Sequence, residues 1–159
     1  MRPSAFQPGF SRFRGVGERA GTVVVMNDWN AAVIAEFRAN GGKVAQFGDA
    51  PLVILHTVGA RSGEIRETPL AALHDGDDLV VFASKAGAPT NPDWYHNLKA
   101  HSDIDVEFGT ERFAAHVREL PADEAATKLA AQAALMPQFG EYAASAAPRQ
   151  IPALVIERR

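Results

Sequence analysis

Cysteine is absent from this chain of 159 residues. That absence excludes disulfide scaffolds, thiolate metal sites and cysteine nucleophiles. Long apolar runs are missing too, since none approaches the ~20 residues that a membrane-spanning helix needs. The first residues carry Arg2, Arg12, Arg14 and Arg19 but no continuous apolar stretch, so they do not read as a secretory leader. Nor is there an excess of positive charge. A net charge of −3 offers no field for nucleic acid or an anionic membrane. These absences together place the expected location in the cytoplasm.

What remains is an ordinary globular composition, 47% apolar and 22% charged, in a length that suits one domain with a single sizeable core. Two parts are distinguishable. Residues 1–45 read as an arm followed by a helix that packs on the main body, and 46–159 as the body itself. In the arm, Phe6, Phe10, Phe13 and Val16 recur at spacings of three or four. The arm is expected to pack through these residues on the body. The alternative is that it lies on the inner membrane surface as a peripheral amphipathic segment.

The body is rich in short strands. Leu52–Val58 is an apolar strand, Ile65–His74 a second and Leu79–Ala83 a third, with Asp75-Gly76-Asp77 as a hairpin turn. Pro69 restricts the second strand to an edge or a bulge. Ile104–Phe108 and Arg112–Leu120 alternate around a Gly109-Thr110 turn, and Ala153–Ile156 closes the chain. Helices are expected over 28–40, from about 91 to 100, over 121–135 and over 139–146. Six strands joined mostly by hairpins, with helices at the start, middle and end, predict an α+β fold. Its centre is a six-stranded, mostly antiparallel barrel with flanking helices. A dinucleotide-binding doubly wound sheet is disfavoured, because GxGxxG is lacking after the first strand.

Two loops carry the chemistry. In Gly59-Ala60-Arg61-Ser62-Gly63 the glycines free backbone N–H groups to turn toward an anion, and Arg61 with the nearby Arg66 can grip phosphate or carboxylate. The plainer reading is a hairpin loop with surface arginines. In Ala83-Ser84-Lys85-Ala86-Gly87-Ala88-Pro89-Thr90-Asn91-Pro92, Ser84 offers a hydroxyl, Lys85 a charge and Gly87 backbone access. Trp94, Tyr95 and Asn97 follow at once and could wall a flat aromatic ligand. The plainer reading makes Trp94 and Leu98 core anchors of a short helix. Met136, Phe139 and Tyr142 could form an apolar wall with a phenol at a pocket mouth, or else a small cluster covering the barrel.

Metal chemistry finds no support. The five histidines show no metal-ligand spacing, and neither HExxH nor GxSxG is present.

The stretch Thr57–Leu70, with the form T-x-G-A-R-S-G-x-x-R-x-T-P-L, and the stretch Ala83–Leu98, with A-S-K-x-G-A-P-x-x-P-x-W-Y-x-N-L, resemble the deazaflavin-dependent nitroreductase family. Its members are small actinobacterial split β-barrel proteins related to flavin-binding oxidoreductases. The resemblance extends over residues 50–158 and implies a groove for coenzyme F-420, an 8-hydroxy-5-deazaflavin. By that likeness Ala60, Arg61, Ser62, Gly63 and Arg66 would hold the phosphate and the start of the tail. Thr68, Pro69, Leu70 and Ala71 would line the ring edge. Ala83, Ser84, Lys85, Ala86 and Gly87 would contact the ring system and phosphate, and Trp94, Tyr95 and Asn97 would complete the pocket.

The implied reaction is hydride transfer from the reduced cofactor to a small electron-poor acceptor: a quinone, an activated enone or lactone, or a nitroaromatic. Ser84 and Tyr142 would be the catalytic donors, and Met136, Phe139 and Tyr142 the substrate wall. Members active on nitroimidazoles carry several tyrosines between Met136 and Ser145, where this chain has Phe139 and only Tyr142. Two alternatives stand beside this reading: an FMN-dependent oxidoreductase of the same barrel class, and a non-catalytic binder of deazaflavin or another small molecule. A monomer and a homodimer read alike from the sequence.

Overall fold

The computed structural model describes residues 28–159. The proposed arm contacts of Phe6, Phe10, Phe13 and Val16 lie outside the described residues. Six strands are present: β1 (Leu52–Val58), β2 (Ile65–Asp75), β3 (Asp78–Phe82), β4 (Asp103–Phe108), β5 (Glu111–Glu119) and β6 (Ala153–Arg158). They close into a barrel in the order β1-β2-β3-β6-β5-β4, and every neighbouring pair is antiparallel. Four helices flank it: α1 (Asp28–Ala39), α2 (Asp93–Ala100), α3 (Ala122–Leu135) and α4 (Gln138–Ala146). Among the described residues no helix is long and apolar enough to cross a membrane.

The tight hairpins follow from local chemistry. Gly76 (φ 64°) turns β2 into β3 and Gly109 (φ 62°) turns β4 into β5. Both adopt a left-handed backbone that a side chain disfavours.

Side chains alternate between the two faces of each strand. Val53 and Leu55 of β1 point into the barrel with Ala72, Leu79, Val81, Val106, Ala115, Val117, Leu154 and Ile156. Trp94 and Leu98 of α2 join that core, so α2 plugs the barrel. Leu52 and Ile54 point outward and pack under Val33, Ile34 and Phe37 of α1. Burial on both faces explains why β1 opens on an unbroken apolar run, Leu52–Leu55. A third cluster, built on Val80, Phe82 and Val155, is covered by α3 and α4.

One asymmetry in β2 shapes the site. Its residues 65–71 pair with β1, whereas only Ala72–Asp75 pair with β3. The first part of β2 therefore has an open edge. The bonds Gly59 N–H to Glu64 O (2.8 Å) and Ala72 N–H to Pro51 O (2.9 Å) fix the phase of the β1 ladder. By that phase Ile65, Glu67, Pro69 and Ala71 direct their backbone groups to the open edge. Pro69 has no N–H to leave unpaired there, which is the edge placement its chemistry demands.

Candidate functional site

β1 and β3 both run antiparallel to β2, so the loops after them, 59–64 and 83–92, leave the same end of the barrel. They are offset along β2 by the length of its open stretch, roughly 20 Å at ~3.3 Å per residue. Arg66, Thr68 and Leu70 share the inward face with their partners Thr57, Leu55 and Val53. The far side is bridged by α2, which begins where the second loop ends. Its buried Asn97 accepts the Ala60 N–H through Oδ1 at 3.0 Å. The two loops, the open stretch of β2 and α2 are thus linked at one end of the barrel.

The first loop is organised from within. Gly63 N–H donates to Gly59 O (2.9 Å), and Glu64 N–H donates to Ser62 Oγ (3.1 Å). A Cβ on Gly59 would lie 2.5 Å from Ser62 Oγ, so a larger residue there would push that hydroxyl off the Glu64 N–H. The Ser62 hydroxyl accepts here and keeps its own proton to donate. Ala60, Arg61, Ser62 and Gly63 are all exposed.

In the second loop Lys85 (φ 48°), Ala86 (φ 53°) and Gly87 (φ 82°) are left-handed in succession. Ser84, with φ −79° and ψ −37°, precedes them. A right-handed residue followed by a left-handed one turns successive N–H groups to one side, as an anion-binding nest requires. Among the described residues the Lys85 and Ala86 N–H groups have no protein acceptor, and neither has the Ser84 hydroxyl. Lys85 Nζ lies 3.1 Å from Thr90 Oγ1. Gly87 is also held to glycine by packing. A Cβ there would meet Ser145 Cβ at 2.8 Å and Tyr142 O at 3.0 Å, so α4 presses on the loop at this point.

The other sequence candidates divide. Trp94 is buried in the barrel core. Tyr95 is half-buried, and its hydroxyl donates to Glu119 Oε1 (2.9 Å), which Lys99 Nζ also reaches (2.8 Å). Burial and the Glu119 carboxylate together raise the Tyr95 pKa above its ordinary value. Burial pushes the Glu119 carboxyl up, but the bonds from Lys99 and Tyr95 outweigh it and hold it below the usual carboxylate range. Phe139 is buried, with its ring 6.0 Å from Phe82 and 5.2 Å from Tyr142. Met136 packs in the same cluster. This trio therefore covers the outer face of β3, and Tyr142 comes nearest the second loop through its contact with Gly87.

Cations without an ion pair occur in this region and, among the described residues, also at Lys43, Arg149 and Arg159. Arg38, Lys99, Arg112, Arg118, Lys128 and Arg158 are each in an ion pair. Among the described residues Arg61, Arg66 and Lys85 have no carboxylate within 4.0 Å. Arg66 goes further: its Nε is buried and has no hydrogen-bond partner. A buried guanidinium nitrogen without a partner is costly, and an oxygen-bearing anion would satisfy it. The residues present therefore fit an anionic cofactor.

Sequence reading missed Arg149, which donates to the carbonyls of Ala83, Ser84 and Ala88. The only signal was a cation in the short connector before β6, too weak to single it out. Arg149 and Glu119 also line a cavity of about 360 Å³ between α3, the end of α4 and residues 147–152. None of the site residues expected from the sequence lines that cavity.

A family model described as F420H(2)-dependent quinone reductase matches residues 29–158. An F420H(2)-dependent quinone reductase of Mycobacterium tuberculosis (strain H37Rv) is 41% identical over 81 residues, which is 50% of this chain and 54% of that protein. A second Mycobacterium tuberculosis protein, named a putative quinone reductase of the same kind, is 32% identical over 62 residues, 39% of this chain and 52% of its own. The matched part thus spans about half the length of these curated relatives. A solved F420-H2 dependent reductase, FDR-A, superposes with a TM-score of 0.60 at 31% identity over 67% of this chain and 94% of its own. Another structure, described as a domain-swapped dimer, gives 0.62 at 30% identity over 82% and 98%. Both folds agree with the split barrel built above from the register. With the family model covering the barrel, both loops and all four helices but the first residue of α1, the chain belongs to the F420H(2)-dependent quinone reductase family.

Proposed function

We propose that the chain binds coenzyme F-420 along the open edge of β2 and reduces a small electron-poor acceptor, with a quinone as the first class to test. The carrying observation is that Arg66 Nε is buried with no partner among the described residues, on the strand that joins the two loops whose cations, Arg61 and Lys85, have no carboxylate within 4.0 Å. When bound, the reduced deazaflavin supplies the hydride from C5. The protein contributes binding, orientation and electrostatics.

In this reading Arg61, Arg66 and the Ser62 hydroxyl take the anionic tail at the first loop. The Lys85 and Ala86 N–H groups and Lys85 Nζ take oxygens at the second. Thr68 and Leu70 form the wall between them, and Ala71, whose side chain packs on the outer face, offers only its edge-facing backbone groups. Asn97 acts by keeping the first loop against α2 through the Ala60 N–H. Tyr95 likewise acts on β5, through Glu119. Ser84, in the second loop, and Tyr142, whose backbone carbonyl adjoins Gly87, have hydroxyls with no partner among the described residues. Either can donate to an acceptor oxygen as it gains negative charge, which lowers the barrier of the transfer. The name of the FDR-A neighbour and of the mycobacterial relatives supports the same cofactor. A homodimer is in keeping with the neighbour described as domain-swapped.

The test is a fluorescence titration with oxidised F-420 beside FMN, followed by oxidation of reduced F-420 with benzoquinone, menadione, an enone and a nitroaromatic. Saturable F-420 binding with quinone turnover is expected. Preference for FMN would overturn the cofactor assignment. Tight F-420 binding with no turnover would make the protein a binder rather than an enzyme.

A further inference from the structure

We propose that Arg149 is a positioning residue of the cofactor site, acting by aiming the backbone of the second loop; this rests on the reading above. Arg149 carries five N–H donors, and all five are used on one loop. Nη1 donates to Ala83 O (3.0 Å) and Asn91 Oδ1 (2.6 Å). Nη2 donates to Ser84 O (2.9 Å) and Ala88 O (2.7 Å), and Nε also reaches Ala88 O (3.0 Å). Among the described residues no carboxylate pairs with it. Its charge is met by carbonyl dipoles alone.

Two consequences follow. First, the loop between these carbonyls contains Lys85 and Ala86 with positive φ, a conformation that neither residue type prefers. A bond network of this density over-determines that strained segment. Second, a trans peptide is planar, so its C=O and N–H point in opposite directions. With the Ser84 carbonyl drawn to Arg149, the Lys85 N–H is turned to the opposite side of the loop. That N–H has no protein acceptor among the described residues. The guanidinium also polarises the peptide and makes the Lys85 N–H a stronger donor. Arg149 thereby presents a ligand-facing N–H without itself reaching the ligand. Only a fork of five donors can do this; a lysine supplies three from one point.

The experiment compares wild type with Arg149→Lys, Arg149→Ala and Asn91→Ala. Amide hydrogen exchange of the ligand-free protein reads the peptide covering residues 83–92, which contains the Gly87 and Ala88 N–H groups bonded to Ser84 O and Lys85 O. We expect about tenfold faster exchange there in both Arg149 variants, a smaller gain in Asn91→Ala, and no change over 52–58. The Kd for oxidised F-420 should rise about tenfold or more in both Arg149 variants. Millimolar methylguanidinium should recover much of the loss in Arg149→Ala but not in Arg149→Lys.

Unchanged exchange over 83–92, or wild-type affinity in Arg149→Lys, overturns the proposal. If the Arg149 variants fail to fold, Asn91→Ala decides it, and equal exchange there is a refutation. Should wild type bind no F-420, the cofactor reading falls, while the exchange measurement still judges the clamp on its own.

Discussion

Gly87→Ala tests whether α4 sets the second loop, and Gly63→Ala provides its control. Both glycines have positive φ, 82° and 74°. A left-handed alanine costs roughly 1–2 kcal/mol at either site. The surroundings differ. Around Gly63 nothing lies within 4 Å of the new Cβ. At Gly87 the Cβ would sit 2.8 Å from Ser145 Cβ and 3.0 Å from Tyr142 O, the second a backbone atom that cannot swing aside. Crowding of this kind adds about 1–3 kcal/mol. Gly87→Ala should therefore cost about 2–5 kcal/mol in total, and Gly63→Ala about half as much. For a chain of this size each kcal/mol is worth ~2–4 °C, so Gly87→Ala should lower Tm by roughly 4–20 °C. Thermal unfolding followed by circular dichroism measures both variants. F-420 titration below the transition should show weaker binding by Gly87→Ala, because the loop must shift off α4. Equal Tm losses in the two variants would refute the idea that α4 contact holds this loop.

Arg61→Ala, Arg66→Met and Lys85→Ala should each weaken F-420 binding by ~1–3 kcal/mol, the worth of a charge-assisted contact, as read by titration. Of the three, Arg66→Met should leave thermal stability unchanged or raised, because it removes a buried nitrogen that has no partner. Tyr142→Phe should reduce turnover more than F-420 affinity; equal turnover would remove its role as donor. A further prediction concerns pH and lies away from the site. Arg38 bonds Glu107 through Nε (3.0 Å) and Nη2 (2.6 Å), and His56 Nε2 meets the same carboxylate at 2.7 Å. The Arg38 hydrogen bonds, aided by His56, hold the Glu107 carboxyl below its ordinary range against the opposing effect of burial. A depressed carboxyl pKa contributes stability above the unfolded-state value, lost as pH falls through the folded-state value. Tm should thus drop more steeply in wild type than in Glu107→Gln as pH is lowered from about 5 to 3. Parallel curves would show that this cluster under α1 does not contribute.

Much of the barrel was written in local chemistry. Hairpin turns at Gly76 and Gly109, the alternation of Ile104–Phe108 and the doubly apolar run of β1 each follow from rules that act over a few residues. Pro69 announced an edge, and the structure puts an edge there. The two cationic loops were legible for the same reason, since glycine, serine and a cation within five positions form a local pattern.

Other roles depended on neighbours distant along the chain. Trp94 and Phe139 read equally well as pocket walls or core anchors, and only the packing buried both. Gly87 suggested ligand access by composition; the packing of Ser145 and the Tyr142 carbonyl of α4 against it could not be read there. Arg149 left no local trace because its partner Ala83 lies 66 residues away. Sequence alone determined the strands, the turns and where cationic loops would lie, because those depend on near neighbours and backbone preference. Tertiary structure decided which edge stayed open, which aromatics were buried and which arginine holds the loop, because closing the barrel is what brings those distant groups together.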